Sequence, residues 1–306
     1  FSLTALPGEN EGFDAKASED AAQFTVQLAQ TRKAGTPAVA LDSFTDAQGR
    51  LMMRVAINND DMPFLVDSVS SAVAAQGISV KRIIHPVLSV VRDSAGVLKS
   101  VSRKRDTKQT RESFIYLETD RIDAKERRAL ESQLLAVLRD VRGAVTDWGD
   151  MLAAMAADAD DLADSEGTAL IRWFLDNNMT VLGHERIDRK GQRSDRLGLS
   201  RVSDAPVLSE VSIGLAIKWF EDGGVAPLVL KANRVSSVHR HVQLDLVVVP
   251  VRDGKKIAGL SVTAGLWTSA ALATGPDQIP VLRTHLATLM ERFGFDPAGH
   301  AGKAMT

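Results

Sequence analysis

The segment Leu51–Gly77, LMMRVAINNDDMPFLVDSVSSAVAAQG, decides the fold because it joins a predicted strand to a predicted helix. Residues 51–58 are rich in side chains that favour strands. Apolar residues then recur at i, i+4 and i+8, which predicts one face of a helix: Leu65, Val69 and Val73. Gly77 follows at the position where a left-handed residue commonly ends a helix. The turn between the two elements is unusually rich in amide and carboxylate groups.

The rest of the first half extends this pattern. RIIHPVLSVVRD (82–93) and ESFIYLETD (112–120) predict a second and a third strand, and the leucine stripe of 123–142 predicts a helix. The resulting β-α-β-β-α order fits the ferredoxin-like arrangement. A fourth strand is not evident in GAVTDW (143–148), and TPAVALDSF (36–44) could substitute for it or add an edge.

The second half repeats a small sheet with helices, without sequence repetition. Helices are expected over 168–178, 207–224 and 277–294, strands over 180–188, 226–237, 241–253 and 257–269, and a loop over 189–198. In the last helix, Asp277 is the predicted cap, Gly294 ends it, and a core stripe is predicted at Leu282, Leu286, Leu289 and Phe293.

These elements predict an α+β protein with two antiparallel sheets, each covered by helices on one face. We divide the chain into a lead and helix (1–36), a first domain (37–150), a helical linker (151–166) and a second domain (167–306).

Composition excludes several classes of function. A net charge of −2 gives no general attraction to nucleic acid or acidic membranes, and the lack of cysteine excludes thiol chemistry and thiolate metal sites. No dinucleotide, phosphate-loop, nucleophile-elbow or zincin motif occurs. No apolar run approaches the ~20 residues of a membrane span. The first residues lack signal-peptide features and an initiator Met, so we expect a cytoplasmic segment of a longer chain.

The polar turn has two interpretations. Asp60 or Asp61 could cap the helix, with Pro63 in its first turn. Alternatively, free N–H groups could bind the carboxylate of an amino acid while nearby side chains accept from its ammonium group. The candidate effector residues are Asn59, Asp60, Asp61, Met62, Pro63 and Phe64.

Other polar residues carry weaker signals. His239 and His241 would share a face on a strand, but no third metal ligand has a matching spacing, so no metal site is predicted. His85 is expected to be a half-buried, hydrogen-bonded histidine. The basic run 102–111 favours a solvated hairpin tip over RNA contact, and the cluster in 231–240 could bind an anion or another domain.

Several longer stretches resemble the N-terminal region of the large bacterial NAD-specific glutamate dehydrogenases. They include MPFLVDSVSSAVAAQGISVKRIIHPVLSVVRDSAGVL, ALIRWFLDNNMTVLGHERID, KANRVSSVHRHVQLD and AGLWTSAALATGPDQIPVLR, in order along residues 50–304. The resemblance implies two ACT-like domains in a homo-oligomer whose parent uses NAD to oxidatively deaminate L-glutamate to 2-oxoglutarate. Catalysis would then lie in a distant domain, so no catalytic, cofactor or metal residues are assigned here.

ACT domains often sense amino acids, and their first turn commonly reads acidic residue, variable residue, proline. Asp61, Met62 and Pro63 are similar to that turn, while Phe64 stands where glycine is usual. We therefore expect a regulatory region that binds an amino-acid effector. The alternative is a purely structural module that self-associates, for example through an exposed edge at LDLVVVPV (244–251). Independent catalysis and RNA binding are not expected.

Overall fold

The computed structural model describes residues 13–104 and 109–294. Contacts group these residues into two units. The first unit extends to Arg142 and also contains the short segment Ser237–His241; the second contains Gly143–Ser236 and the residues from Val242 onward. The domain boundaries drawn from the sequence stay a prediction. No helix in the described part of the chain has the length and apolarity to cross a membrane.

The first unit contains one antiparallel sheet and three helices. Its elements are α1 (Ala15–Ala29), β1 (Ala38–Thr45), β2 (Leu51–Asp60), α2 (Leu65–Ala75), β3 (Val80–Ile84), β4 (Val87–Arg92), β5 (Leu98–Ser102), β6 (Thr110–Asp120) and α3 (Ala124–Thr146). The strand order is β1-β2-β6-β4-β5, and β3 also pairs with β6. β1 therefore lies beside β2 at the sheet edge, which confirms that the stretch before the first strand adds an edge.

Alternation along β6 shows how the first sheet is covered on both faces. Phe114 and Tyr116 pack against side chains of α1. Ile115 and Leu117 point to the opposite face and are fully buried, as are the apolar stripes of α2 and α3. The two helices of the β-α-β-β-α unit thus cover one face as predicted, and α1 covers the other.

The predicted strand 82–93 is wrong in one respect, because it is two strands. β3 ends at Ile84 and β4 begins at Val87. Pro86 lies between them and has no N–H to donate to a ladder, so the strand is interrupted there. The polar stretch after β4 was not predicted to be regular, yet its first part forms β5, which pairs with β4 across the Asp93–Gly96 turn.

The second unit also has one antiparallel sheet, with a different order of elements. It contains α4 (Trp148–Asp160), α5 (Ser165–Trp173), a π-helical turn (Phe174–Asn178), β7 (Met179–Asp188), β8 (Arg193–Gly198), α6 (Leu199–Val202), α7 (Glu210–Glu221), β9 (Leu228–Val235), β10 (Gln243–Asp253), β11 (Lys256–Trp267), α8 (Ser269–Ala273) and α9 (Leu282–Phe293). The strand order is β8-β7-β11-β10-β9. Met151, Met155 and Ile171 pack against Val247 and Val249 in its core. The predicted α+β class with two antiparallel sheets and helices is confirmed.

Three predictions for this half are wrong. The loop over 189–198 contains β8, which forms a hairpin with β7. The run 244–251 is not an exposed edge, because β10 pairs with β11 on one side and β9 on the other. Asp277 does not cap the last helix, which begins at Leu282 after Val281. Gly294 does end it in a left-handed conformation, as predicted.

The predicted core stripe of α9 is also wrong. None of its residues is buried, and the side chains of Leu282, Leu289 and Phe293 are 46%, 41% and 61% exposed. Helical periodicity identifies an apolar face but cannot show whether another element covers it.

Candidate functional site

The polar turn does not cap α2. β2 continues through Asp60, whereas α2 begins only at Leu65. The Asp60 carboxylate therefore lies too early in the chain to reach the first N–H groups of α2. Phe64 occupies the N-cap position with φ of 69° and makes no side-chain cap. The predicted cap by Asp60 or Asp61 is therefore wrong. The Asp61 carboxylate instead accepts a hydrogen bond of 2.9 Å from the Ser113 hydroxyl.

Asp60 belongs to a cluster of paired charges in the first unit. Its carboxylate lies 2.7 Å from the Arg32 guanidinium and 2.8 Å from that of Arg142, and it accepts from the Gly35 N–H at 2.9 Å. Asn59 joins the same cluster, because its amide oxygen accepts from Arg142 at 2.7 Å. Both residues thus contact arginine side chains that lie outside their own strand.

Glu112 on β6 is the centre of this cluster. Its carboxylate accepts two hydrogen bonds from Arg92, at 2.7 and 2.8 Å, and lies 2.6 Å from Arg32. The Asn58 amide adds a fourth contact at 2.9 Å. The side chains of Arg32 and Glu112 are only 2% and 1% exposed. We call this set the charge cluster: Arg32, Asn58, Asn59, Asp60, Arg92, Glu112 and Arg142.

The pairing keeps the cluster ionised despite its burial. Burial alone would raise the pKa of the Glu112 carboxyl, but the hydrogen bonds from Arg92, Arg32 and Asn58 reverse the effect and lower it. The pKa of Asp60 is also lowered, because contacts with Arg32, Gly35 and Arg142 outweigh desolvation. Burial would lower the pKa of the Arg32 guanidinium, but its contacts with Glu112 and Asp60 outweigh this effect and raise it.

A cavity of about 280 Å³ opens beside the charge cluster. Its lining carries charges of both signs: Arg32, Lys33, Asp60, Arg92, Asp93 and Glu112. Of these, Lys33 forms no ion pair with a described residue, whereas Arg32 and Arg92 already contact carboxylates. Of the six residues predicted to bind an effector, Asp60 lines this cavity and Asn59 lies in the adjoining cluster.

The remaining predicted residues lie on the α2 side of the turn. Pro63 is exposed, and Met62 and Phe64 are half-buried. The Phe64 ring lies 5.2 Å from the ring of His239, whose Nδ1 is 3.1 Å from the Asp67 carboxylate. The structure thus separates the predicted effector residues into two groups.

The histidine candidates His85, His239 and His241 lie outside the strands. His239 lies in a bend with φ of 66°, not on a strand, and the described residues contain no cluster of three or more potential metal ligands. His85 is half-buried as predicted, but its Nε2 has no hydrogen-bond partner within the described part, so that expectation was only partly right. Burial lowers its pKa, with Asp61 opposing. Lys231 pairs with Asp245 at 2.6 Å, across the β9–β10 ladder.

Comparison with known proteins assigns the class of the first unit. Residues 9–134 match the family described as glutamate dehydrogenase, ACT1 domain. The antiparallel sheet with its two covering helices is consistent with an ACT-like sandwich.

Longer relatives match most of this chain. It is 34% identical over 285 residues to the NAD-specific glutamate dehydrogenase of Pseudomonas aeruginosa and 30% identical over 277 residues to that of Halomonas elongata. Each match covers 82% of this chain and 17% of the relative. The enzyme of the same name from Mycobacterium tuberculosis is 25% identical over 303 residues, which cover 91% of this chain and 18% of the relative. Most of the chain is therefore similar to part of the NAD-specific glutamate dehydrogenases, and it corresponds to less than a fifth of the length of these relatives.

Proposed function

We propose that this chain is the N-terminal regulatory region of a larger, cytoplasmic NAD-specific glutamate dehydrogenase. The parent would oxidatively deaminate L-glutamate to 2-oxoglutarate with NAD bound in another domain. In this proposal the chain itself is not catalytic and acts by binding an amino-acid effector. The observation that carries the proposal is the cavity with charges of both signs beside Asp60, inside a glutamate dehydrogenase ACT1 domain.

The chemistry of the cavity suits a zwitterion. The Lys33 ammonium group is available to pair with a ligand carboxylate, since no described carboxylate pairs with it. Asp60 and Glu112 line the same cavity, remain ionised because their pKa values are lowered, and would attract an ammonium group. A ligand with both groups a few ångströms apart matches this distribution better than a simple anion or cation.

We expect L-amino acids to bind this chain and replacement of Lys33 to weaken the binding. Calorimetric titration with a panel of amino acids at millimolar concentration should give saturable heat for at least one of them. Lys33→Met should weaken that binding about tenfold, because a charge-assisted hydrogen bond contributes about 1.5–3 kcal/mol. The same chain should show no glutamate-dependent reduction of NAD.

The matched control is Lys81→Met, which removes an exposed lysine of the same unit that pairs with Asp120 on another part of the sheet. Its affinity should equal that of the unaltered chain. Absence of heat across the panel would contradict effector binding, and equal losses in both variants would contradict the assignment to this cavity.

A second candidate function is self-association. An exposed apolar face of α7 supports it, whereas β10 does not, because it is an interior strand. α7 buries one face through Ile213, Ile217 and Phe220. Its other face exposes apolar side chains at i, i+4 and i+8, with exposures of 72%, 65% and 48%: Val211, Leu215 and Trp219. A helix that is apolar on both faces is generally buried on both, so a further element or chain is expected to pack against the exposed one. An apolar stripe is also self-complementary, which suits a two-fold contact with another copy.

If α7 mediates self-association, Leu215→Lys should convert oligomers to monomers in sedimentation velocity experiments. The substitution places a charge in the middle of the stripe, where burial without a partner is unfavourable. The control is Val225→Lys, because Val225 is similarly exposed at 57% but lies beyond the end of the helix. A chain that stays monomeric across the accessible concentration range would contradict this candidate.

A further inference from the structure

The second unit contains an apolar cavity that the proposed function does not use. It has a volume of about 430 Å³ and lies among α5, the π-helical turn, β9, the end of β11, α8 and α9. Aromatic rings and aliphatic side chains form most of its lining, including Trp173, Phe174, Trp267, Leu170, Leu272 and Leu282. Its volume and lining fall within the range of sites that bind small molecules.

Three aromatic rings form a packed wall of this cavity. The ring centroids of Phe174 and Trp267 are 4.8 Å apart, and those of Trp173 and Phe174 are 5.4 Å apart, both in tilted arrangements. Phe174 is only 2% exposed, so this wall is anchored in the core of the unit. A flat hydrophobic ligand would therefore meet preformed aromatic surfaces without a need to order them.

A carboxylate fixes the part of the lining at the start of α9. Glu166 accepts from the Val281 N–H at 2.9 Å, from the Arg283 guanidinium at 2.6 Å and from the Thr284 hydroxyl at 3.2 Å. These bonds attach the start of α9 to α5. They also hold Val281 at φ of 69°, a conformation that is unusual for a β-branched residue. Such backbone conformations persist only where surrounding contacts impose them, and they occur often at ligand sites.

The polar groups of the cavity limit the class of ligand. Among its described lining residues, His285 is the one titratable side chain, and none is Asp, Glu, Lys or Arg. A carboxylate, phosphate or ammonium group would lose hydration there without an ionic partner. Polar contacts to a ligand would thus be few, because the lining is otherwise aromatic and aliphatic.

From these contacts we propose that the second unit binds an uncharged small molecule with an aromatic or branched apolar body. The amino-acid effector of the first unit, which is a zwitterion, does not fit this site. The chain would therefore have two ligand sites of opposite chemistry, one charged and one apolar.

The four tryptophans of the chain allow a direct test by ¹⁹F NMR after incorporation of 5-fluorotryptophan. Trp173 and Trp267 line the cavity, and Trp148 and Trp219 do not. Indole should shift the Trp173 and Trp267 resonances with saturation at low millimolar concentration, and leave Trp148 unchanged. Benzyl alcohol should act similarly, whereas benzoate, which has the same ring and a negative charge, should bind about tenfold more weakly.

A pair of variants places the binding at the cavity. Leu272→Glu puts a charge on its rim, at a side chain that is 66% exposed, so folding should be little affected. This variant should weaken indole binding about tenfold. Leu289→Glu is the matched control, because Leu289 is exposed on α9 but does not line the cavity. Its affinity should be unchanged.

Three results would overturn the proposal. The first is the absence of a saturable shift at Trp173 and Trp267 up to about 10 mM probe. The second is an equal shift of all four resonances, which would indicate nonspecific contact. The third is a dependence of the Trp173 and Trp267 resonances on protein concentration without probe, which would show that a second copy of the chain occupies the cavity.

Discussion

Replacing Glu112 with Gln should lower the free energy of unfolding of the first unit by about 3–5 kcal/mol. The variant keeps the size of the side chain but removes the negative charge that faces Arg92 and Arg32. Arg32 is 2% exposed and would retain only Asp60 as an ionic partner. Removing one partner of a buried ion pair lowers the free energy of unfolding by much more than the intact pair adds to it.

The sole tyrosine of the chain offers a specific measurement. Tyr116 lies on β6, four residues from Glu112, whereas all four tryptophans belong to the second unit. Urea unfolding followed by ¹⁹F NMR of 3-fluorotyrosine therefore reports on the first unit. The control is Asp42→Asn on β1 of the same unit, since Asp42 contacts a single guanidinium, that of Arg54, at 2.8 Å. A loss for Glu112→Gln no larger than that of the control would contradict the central role of Glu112.

The same residue predicts a pH dependence with a definite sign. Because the folded-state pKa of Glu112 is lowered, its stabilising contribution is complete above the ordinary glutamate value. That contribution is lost as the pH falls from the ordinary value through the lowered one. The difference between the unaltered chain and Glu112→Gln should therefore be full at pH 7 and shrink in acid. A difference that stays constant down to the acid transition would exclude this linkage.

Replacing Asp158 with Asn should stabilise the second unit at neutral and alkaline pH. Asp158 lies on α4 with 5% exposure, and its carboxylate accepts from the Ser261 hydroxyl at 2.6 Å. Burial raises its pKa from 3.8 to about 6, although Ser261 and Arg186 oppose the shift. The folded chain therefore carries an unfavourable buried charge above pH 6, which Asn removes while it can still accept from Ser261.

The sign follows from linkage between proton binding and folding. A carboxyl whose folded-state pKa is raised favours the folded state at low pH, and this advantage is lost as the pH rises from about 4 to about 6. The shift of about two units corresponds to about 3 kcal/mol. Asp158→Asn should thus be more stable than the unaltered chain by about 2–3 kcal/mol at pH 8 and equally stable near pH 4.

Tryptophan fluorescence during urea unfolding measures this difference, because all four tryptophans lie in the second unit. Asp160→Asn is the matched control: it lies on the same helix, is 65% exposed, and pairs with Arg172 at the surface. Its effect should be small at both pH values. Equal stability of Asp158→Asn and the unaltered chain at pH 8 would show that burial does not penalise the Asp158 charge.

Local chemistry made much of the first unit predictable from sequence. The strand at residue 51, the helix at residue 65, the left-handed Gly77 and the long helix α3 all follow from side-chain periodicity and turn residues. The edge strand β1 could be suspected from its composition. The interruption at Pro86 was also readable, because proline cannot donate a ladder hydrogen bond.

The candidate sites depended on partners that are distant in the chain. Asp60 was predicted as a cap or an effector ligand, but Arg32 and Arg142, which pair with it, lie 28 and 82 residues away. Neither spacing carries a recognisable signal. The apolar cavity likewise combines α5, β9, β11, α8 and α9, so periodicity within each element identified apolar residues without indicating the space between them.

The sequence by itself determined the α+β class, most helices and strands, and the similarity to glutamate dehydrogenases, because these depend on order along the chain. Tertiary structure decided which apolar faces are covered and which charges meet. β10 is an interior strand, although an exposed edge was considered there, and α9 is exposed although its stripe suits a core. The reason is physical: hydrophobic burial and ion pairing depend on neighbours in space, and residues far apart in sequence supply those neighbours.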